Sequence, residues 1–499
     1  MENDSTVFQN PGSGGGKSSP SGQIPPPDFL TPPKNYSQVF NSGQTKQNQP
    51  PPDFTQSVTY REPSSGGFSR LKKFLKIFSS VFIILGLVFL IISFLFPGIN
   101  RTQQNQVTLA YWGLFEDPSV MQGIITDFEK QYPYINVEYV KQDSSQYRDR
   151  LTTRIQNGNG PDIFWFHNTW YPMLKNYLLP LPSQTMSQDE FNSIYYPVAQ
   201  KDLIKNGAIF GIPLETDTLA LFVNTQLLQA AGVNIPTNWN EFVDAARAMT
   251  VKDANGNIKT AGAAIGTYSN VTHAADIISL LFLQNGVDFN NFQASENQVS
   301  GALTFYTSFA KGDNVLWDNT LDPSQLAFAK GNLGMYFGYP SDYFAIKQYN
   351  PNLNFQIAPV PQLTGQNVTL ASYWAAGVSV RSVHQKEALL FIKYLSEKET
   401  EQKLYAQEAK ISAFGQPYAR MDLADSLKNN PLVYPFVSQA QTAASSPFIE
   451  GTYDDGLNQQ LDSELQDVVN LYLQPTGSAP QSADDFVKKV VQTLQQYGQ

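Results

Sequence analysis

The strongest pattern in the chain is an apolar run from Ile77 to Phe96 that contains no charged residue. A helix over this run would rise ~1.5 Å per residue and reach ~30 Å, the thickness of the hydrocarbon core of a bilayer. A cleaved signal peptide is less consistent with it, because no good small-residue cleavage site follows. The pattern therefore predicts a transmembrane signal-anchor helix within residues 70–97.

Charge on the two sides of this run indicates its orientation. Only Arg101 follows the run closely, whereas four basic residues precede it: Arg70, Lys72, Lys73 and Lys76. Positive residues favour the cytoplasmic side of a membrane. We therefore expect a cell-membrane protein that crosses the bilayer once, with its N-terminus in the cytoplasm and its C-terminal part outside the cell.

The segment before the run has no sustained hydrophobic period. Residues 1–69 are rich in Pro, Gly, Ser, Gln and Asn, so they cannot bury enough apolar surface to offset the entropy of ordering. We predict a disordered cytoplasmic tail. The motif PPPDF occurs in it at 25–29 and 50–54, and two interpretations stay open: a docking peptide for a cytoplasmic partner, or an extended spacer.

After a linker at residues 98–105, stretches with the two-residue period of strands alternate with stretches of helical spacing. The pattern predicts strands over 106–113 and 135–140, and helices over 118–132 and 144–158. Such alternation is typical of an α/β architecture.

One of these strands ends in an unusual way. In GNGPDIFWFHNTWYP, residues 158–172, the apolar residues Ile163–Phe166 are followed directly by the polar and aromatic residues His167–Trp170. Polar groups are costly to bury unpaired, and ligands of open α/β sheets meet the carboxyl ends of strands. We therefore expect Ile163–Phe166 to form a buried strand and His167–Trp170 to be its exposed, ligand-facing end.

Composition removes several function classes. The 499 residues include no cysteine, which excludes disulfides, thiolate metal sites and a cysteine nucleophile. The histidines His167, His273 and His384 lie far apart in the sequence, so no metal and no other cofactor is predicted. The net charge of −10 argues against a nucleic-acid partner, because phosphate contacts need clustered Lys and Arg.

Five motifs occur in a defined order along residues 106–495. They are NGNGPDIFWF (157–166), FGIPLETDTLALFVNTQLLQAAGVNIPTNWNEFVDAARAMT (210–250), AFAKGNLGMYFGYPSDY (327–343), IAPVPQ (357–362) and SYWAAGVSVRSVHQKEALLFIKYLSEKETEQ (372–402). In this order they resemble the extracellular solute-binding proteins of ABC importers, in the maltose-binding-protein-like group of mainly carbohydrate binders.

The resemblance implies a periplasmic-binding-protein-like fold of type II over residues 106–499. One lobe would comprise about 106–213 and 359–412, and the other about 214–358 and 413–499, joined by hinge crossovers. A small solute, a mono- or oligosaccharide, would bind between the lobes and pass to separate ABC permease subunits without any catalysis. Many Gram-positive relatives are anchored by a cysteine that this chain lacks, so the transmembrane helix would take over tethering.

A sugar receptor needs carboxylates and amides for the hydroxyls, and aromatic side chains for the ring faces. Core packing is the competing interpretation for Trp112, and a structural role for Tyr268 and Tyr453. The candidate ligand-binding residues lie in the strand-end and crossover loops that the resemblance aims at the cleft: Trp112, Glu116, Asn168, Trp170, Glu215, Asp217, Tyr268, Tyr339, Asp342, Tyr373, Trp374 and Tyr453.

Two other functions stay open on the sequence. An anchored glycoside hydrolase would use two cleft acids as acid and nucleophile or base. Glu215 and Asp217 are two residues apart, on the same face of an extended strand, so they do not flank a glycosidic bond. A ligand sensor or adhesion subunit would signal through the helix to the tail, and would need a partner at the PPPDF repeats because the sequence contains no output domain.

Overall fold

The computed structural model describes residues 105–312, 315–449, 451–452, 454–475 and 479–499. The predicted tail (1–69), the predicted span (70–97) and all but the last residue of the linker lie outside the described residues, as does Tyr453. Within the described ranges, no helix is long and apolar enough to cross a membrane.

The helices and strands alternate along the chain, as the hydrophobic pattern predicts. The strands are β1 (Val107–Gly113), β2 (Ile135–Lys141), β3 (Ile163–His167), β4 (Ile204–Lys205), β5 (Ala208–Ile209), β6 (Ile212–Pro213), β7 (Asp217–Thr218), β8 (Ala220–Asn224), β9 (Val251–Lys252), β10 (Ile258–Ala263), β11 (Leu333–Gly338), β12 (Phe355–Ala358), β13 (Thr369–Ser372), β14 (Trp374–Val378) and β15 (Ala443–Ala444).

The helices are α1 (Pro118–Gln131), α2 (Tyr147–Gln156), α3 (Tyr171–Leu174), α4 (Gln188–Ile194), α5 (Pro197–Leu203), α6 (Thr225–Ala231), α7 (Trp239–Met249), α8 (Ala274–Gln284), α9 (Glu296–Thr307), α10 (Ser324–Ala329), α11 (Pro340–Tyr349), α12 (Gln385–Leu395), α13 (Lys398–Ile411), α14 (Tyr434–Gln439), α15 (Leu457–Leu473) and α16 (Ala479–Gln496). Short 3-10 turns occur at Asn168–Trp170, Phe289–Ser295, Ser308–Ala310, Met421–Leu427 and Ala440–Thr442.

The first lobe is built on a sheet with the strand order β2-β1-β3-β14-β6. β1 runs parallel to β2 and β3, while β14 is antiparallel to β3. All five residues of β3 are buried, which confirms the predicted buried strand over Ile163–Phe166. The expected exposed end is wrong for His167, Asn168 and Trp170, which are buried as well because they pack into the first lobe. Helix α1 begins where the sequence indicates, because the Asp117 side chain accepts a hydrogen bond from the Ser119 N–H at 2.8 Å and caps it.

The second lobe is built on a sheet with the strand order β12-β8-β11-β10-β9. β8 is antiparallel to both of its neighbours, and all five of its residues are buried. Asn224 ends this strand and caps α6, since its side chain accepts from the Gln226 N–H at 3.1 Å. Helix α7 packs on the sheet through Trp239, whose Nε1–H donates to Gln284 Oε1 at 2.7 Å.

Segments that lead from one lobe to the other pair with each other. β7, β13 and β15 form a three-stranded sheet, and Glu215 makes an isolated antiparallel bridge with Tyr418. Leu370 belongs to the second core, whereas Ala371, the next residue, belongs to the first. We call these paired segments the hinge. The positions of the lobe boundaries given above stay predictions.

Close backbone approach in the second lobe makes one glycine a sharp test of this packing. A Cβ atom added at Gly262 would overlap the Ala246 carbonyl group of α7. We expect Gly262→Ala to destabilise the protein by about 3 kcal/mol, because the helix must move away from the sheet.

Chemical denaturation of the purified protein measures this change. The control is Gly123→Ala within α1, where the nearest atoms belong to the Gln407 and Lys403 side chains, which are able to move. The control should be neutral or stabilising, since alanine favours a helix by about 1 kcal/mol over glycine. Equal stability of the two variants would contradict the packing described.

Candidate ligand-binding site

Aromatic side chains gather at the carboxyl end of β3, on the first lobe. Trp374 lies opposite His167 in the β14–β3 register, and their ring centroids are 5.2 Å apart. Phe115 and Trp170 contact Trp374 edge-on at 5.3 and 5.1 Å. Phe115 is 44% exposed, whereas Trp374 is 8% exposed. We call Phe115, His167, Trp170 and Trp374 the aromatic wall.

The second lobe approaches this wall closely. A Cβ atom added at Gly451 would lie 2.8 Å from the Trp374 indole, so only a glycine allows the backbone of this segment to come so near. Burial lowers the pKa of His167 to about 3, and the charge of Asp276 from the second lobe opposes that shift. The two lobes therefore face each other across the aromatic wall.

A buried network in the second lobe holds two of the candidate residues. His273 lies between two carboxylates, with Nε2 2.9 Å from Asp342 Oδ2 and Nδ1 3.6 Å from Asp276 Oδ2. The Tyr339 hydroxyl donates to Asp276 at 2.6 Å, and its N–H donates to Asp342 at 2.7 Å. Burial alone lowers the pKa of His273, but the two carboxylates raise it to about 10. We call these four residues the His273 network.

Acidic side chains meet at the hinge around a cavity of about 10 Å³. The carboxylates that line it come from three segments: Glu116 after β1, Glu215 in the first crossover, and Glu401 and Glu408 on α13. We call this the acidic hinge cavity. The other residues that line it are Trp165, Leu214, Leu404, Tyr405, Gln416 and Tyr418.

Burial shapes the ionisation of these acids. It raises the pKa of Glu116 to about 8, and the charge of Glu408 adds to the shift. Burial also raises the pKa of Asp217, beside the cavity, to about 8, and that of Glu408 to about 7. The pKa of Glu215 lies well above its ordinary value for the same reason, with the charge of Asp217 adding to it.

Two candidate residues are bound to a side chain that the sequence did not single out. The Asn168 side-chain amide and the Tyr373 hydroxyl both donate to Asp202 Oδ2, each at 2.9 Å. Ser445 donates to the other oxygen at 2.6 Å. Asp202 is buried on α5, and nothing in its local sequence distinguishes it from a solvated acid. The structure therefore brings Asn168 and Tyr373 together on Asp202.

Three candidates make packing or hydrogen-bond contacts of their own, and one of them, Trp170, also belongs to the aromatic wall. Trp112 is half-buried and packs against the first core. Trp170 is fully buried, and the Arg148 guanidinium lies 5.6 Å from the centre of its ring. The Tyr268 hydroxyl contacts Asp462. The role of each as a ligand contact stays a prediction.

Several site residues were missed by sequence reasoning. In the sequence, Trp112 is a more obvious aromatic candidate than Phe115, which follows three residues later. His273 and Asp276 are three residues apart at the start of α8, and Glu401 and Glu408 are seven apart on α13. These helical spacings were visible signals, but they do not show what the helix faces. In the described part of the chain, no three His, Asp or Glu residues are grouped so as to hold a metal ion.

The His273 network makes stability depend on pH in a defined direction. The folded-state pKa of about 10 lies above the ordinary value of about 6.5. The contribution of His273 is therefore fully present below about pH 6.5 and is lost as the pH rises through about 10. We expect the wild type to exceed His273→Gln in stability at pH 6, and this difference to shrink towards pH 10.

Denaturation of both proteins at matched pH values measures the difference. Comparison with the variant is needed because the raised acid pKa values at the hinge also weaken folding as the pH rises. A constant difference between the two proteins from pH 6 to 10 would show that His273 carries no buried charge.

Comparison with known proteins agrees with this architecture. The family model described as "Bacterial extracellular solute-binding protein" matches residues 112–402. The multiple sugar-binding protein of Streptococcus mutans is 24% identical over 362 residues, which cover 67% of this chain and 80% of that protein.

Solved structures share the fold at lower identity. The sugar-binding protein MalE from Xanthomonas citri aligns with a TM-score of 0.64 and 20% identity, over 78% of this chain and 98% of that one. A solute-binding protein from Thermotoga lettingae bound with α-D-tagatose aligns with a TM-score of 0.60 and 21% identity, over 78% of this chain and all of that one. The expected two-lobe periplasmic-binding-protein-like fold is confirmed. Because the family model matches more than half of the 499 residues, this chain belongs to the bacterial extracellular solute-binding proteins.

Proposed function

We propose that this protein is a membrane-anchored extracellular receptor that captures a carbohydrate between its two lobes and delivers it to an ABC permease. The observation that carries the proposal is the aromatic wall on the first lobe. This wall faces the acids of the hinge and the His273 network of the second lobe. Aromatic faces suit the apolar faces of sugar rings, and carboxylates suit their hydroxyls.

Known ligands of structural neighbours support a sugar as the solute. The neighbours include proteins bound with α-D-tagatose, with maltotetraose and with mannotriose. The first two are named as binding proteins, which favours capture over glycoside hydrolysis. Half-exposed Phe115 offers the accessible edge of the wall to such a ring.

Contacts across the lobes support capture by closure. The Arg148 N–H on α2 donates to Asp454 Oδ2 at 3.2 Å, and the Gln146 N–H donates to the Thr452 carbonyl at 3.3 Å. These bonds join the first lobe to a segment of the second, so they must break when the lobes separate. A ligand held by both lobes would stabilise the closed state in the same way.

Anchoring and delivery rest on the sequence. The apolar run between residues 77 and 96 would hold the receptor at the outer face of the membrane, and the chain has no ATP-binding motif, so the permease and its ATPase would be separate chains. The PPPDF repeats of the tail offer a docking peptide for a cytoplasmic partner.

A variant of the aromatic wall tests the proposal. Thermal unfolding of the purified protein against a panel of mono- and oligosaccharides should reveal a stabilising sugar, since a ligand at 100 times its Kd adds about 2.7 kcal/mol. We expect Phe115→Ala to weaken that sugar at least about tenfold, or about 1.4 kcal/mol. Phe115 is half exposed, so the variant should still fold.

Tyr349→Ala is the matched control, because it removes an aromatic ring that is 57% exposed on α11. Its sugar affinity should equal that of the wild type. If no sugar of the panel raises the unfolding temperature, the proposal is wrong. If a bound glycan is recovered in cleaved form, the protein is an enzyme and not a receptor.

A further inference from the structure

Several of the hydrogen-bond acceptors that line the acidic hinge cavity lack donors. Glu116 Oε2 and both carboxylate oxygens of Glu401 have no hydrogen-bond partner, and neither does the Gln416 side-chain oxygen. Glu116 and Glu401 are 6% and 2% exposed, so water outside the protein does not satisfy them. A buried acceptor without a donor is costly, which means that the cavity suits an occupant that donates several hydrogen bonds.

The neighbouring positive charges are committed elsewhere. The Arg420 guanidinium donates to Asp422 at 3.0 and 3.1 Å and to the Ser396 carbonyl at 2.7 Å. Lys141 donates to the Phe115 carbonyl at 2.7 Å. No Lys, Arg or His lines the cavity in the described part of the chain. Arg420 attracts Glu401 and Lys141 attracts Glu116 from outside the cavity, so none of the four carboxylates has a counter-charge within it.

Size distinguishes between possible cations. The cavity of about 10 Å³ has room for a group of about one water molecule, such as an ammonium group. The carboxylates of the described residues are not grouped closely enough to hold a metal ion. The N···O distance of a hydrogen bond from an ammonium group is longer than the distance between a metal ion and its oxygen ligands. An ammonium group therefore fits carboxylate oxygens that are spaced more widely.

Packed aromatic rings lie between the cavity and the aromatic wall. Trp165 lines the cavity, and its ring centroid is 6.4 Å from that of Phe115, which contacts Trp374 at 5.3 Å. Glu116, which lines the cavity, also directly follows Phe115 of the aromatic wall in the chain, so a sugar ring on Phe115 would lie beside the residue that carries this carboxylate. Aromatic rings also attract a nearby ammonium group through their faces.

We propose that the acidic hinge cavity binds the protonated amino group of the solute, so that the preferred ligand is a carbohydrate that carries a free amine. This inference rests on the proposed function and specifies its substrate class. The raised pKa values of Glu116 and Glu408 agree with it, because an ammonium group would relieve the repulsion between these acids and favour their ionised forms.

Matched sugars test the amine directly. Thermal unfolding and calorimetric titration of the full-length protein would compare amino, N-acetylamino and hydroxyl forms of gluco-, galacto- and manno-configured mono- and disaccharides at pH 7. We expect the free amine of the recognised configuration to bind at least about tenfold more tightly than its N-acetyl and hydroxyl counterparts, since only the amine supplies a charge.

Variants on α13 connect this preference to the cavity. Glu401→Gln keeps the shape of the side chain but removes a carboxylate from the cavity, so the ratio of amine to hydroxyl affinity should fall towards one. Glu399→Gln is the control, since Glu399 is an exposed acid on the same helix that does not line the cavity. If Glu401→Gln does not fold, Glu116→Gln serves the same comparison.

The outcomes separate the two proposals. Equal affinity for the amine and hydroxyl forms, or an amine preference that survives in the cavity variant that folds, would overturn the amine inference and leave the sugar receptor intact. A panel in which no sugar of any form binds would overturn both.

Discussion

Backbone pairing at the hinge is the constraint on which the rest of this structure depends. The Thr216 N–H donates to the Pro417 carbonyl at 3.1 Å, and Asp217–Thr218 pairs with Ala371–Ser372 in an antiparallel ladder. Because these bonds involve the main chain, they fix the crossovers whatever their side chains are. The pairing therefore does not restrict which side chains the crossovers carry. In this chain they include acids, which the ladder holds between the two hydrophobic cores.

Those acids are unfavourable in the folded protein by themselves. Glu116, Glu215 and Asp217 are held by burial and mutual repulsion at pKa values above their ordinary range. The His273 network shows the opposite solution, since there one histidine lies between two carboxylates and compensates them. The second lobe therefore supplies a counter-charge for its buried carboxylates, whereas the acids of the hinge depend on an occupant for theirs.

A capping interaction joins the two lobes. Helix α2 begins after Gln146, whose side chain makes no cap, and the Arg148 N–H of its first turn is bound instead by Asp454 of the second lobe. A helix N-terminus favours a carboxylate, so Asp454 of the second lobe supplies an acceptor that the first-lobe helix lacks in its own chain segment. The same segment places Gly451 against Trp374, which couples the cap to the aromatic wall.

The sequence by itself determined the features that depend on local pattern: the α/β alternation and the buried strand β3 both follow from neighbours along the chain. The order of five motifs was enough to place the chain in its family. Only the tertiary structure decided which polar groups are already bound. Asp202 accepts hydrogen bonds from Asn168 and Tyr373, which are 34 and 171 residues away in the sequence. Glu401 lines the same cavity as Glu116, although its helix lies far along the chain. Such partners are set by how whole lobes pack, and the pattern around each residue carries no trace of them.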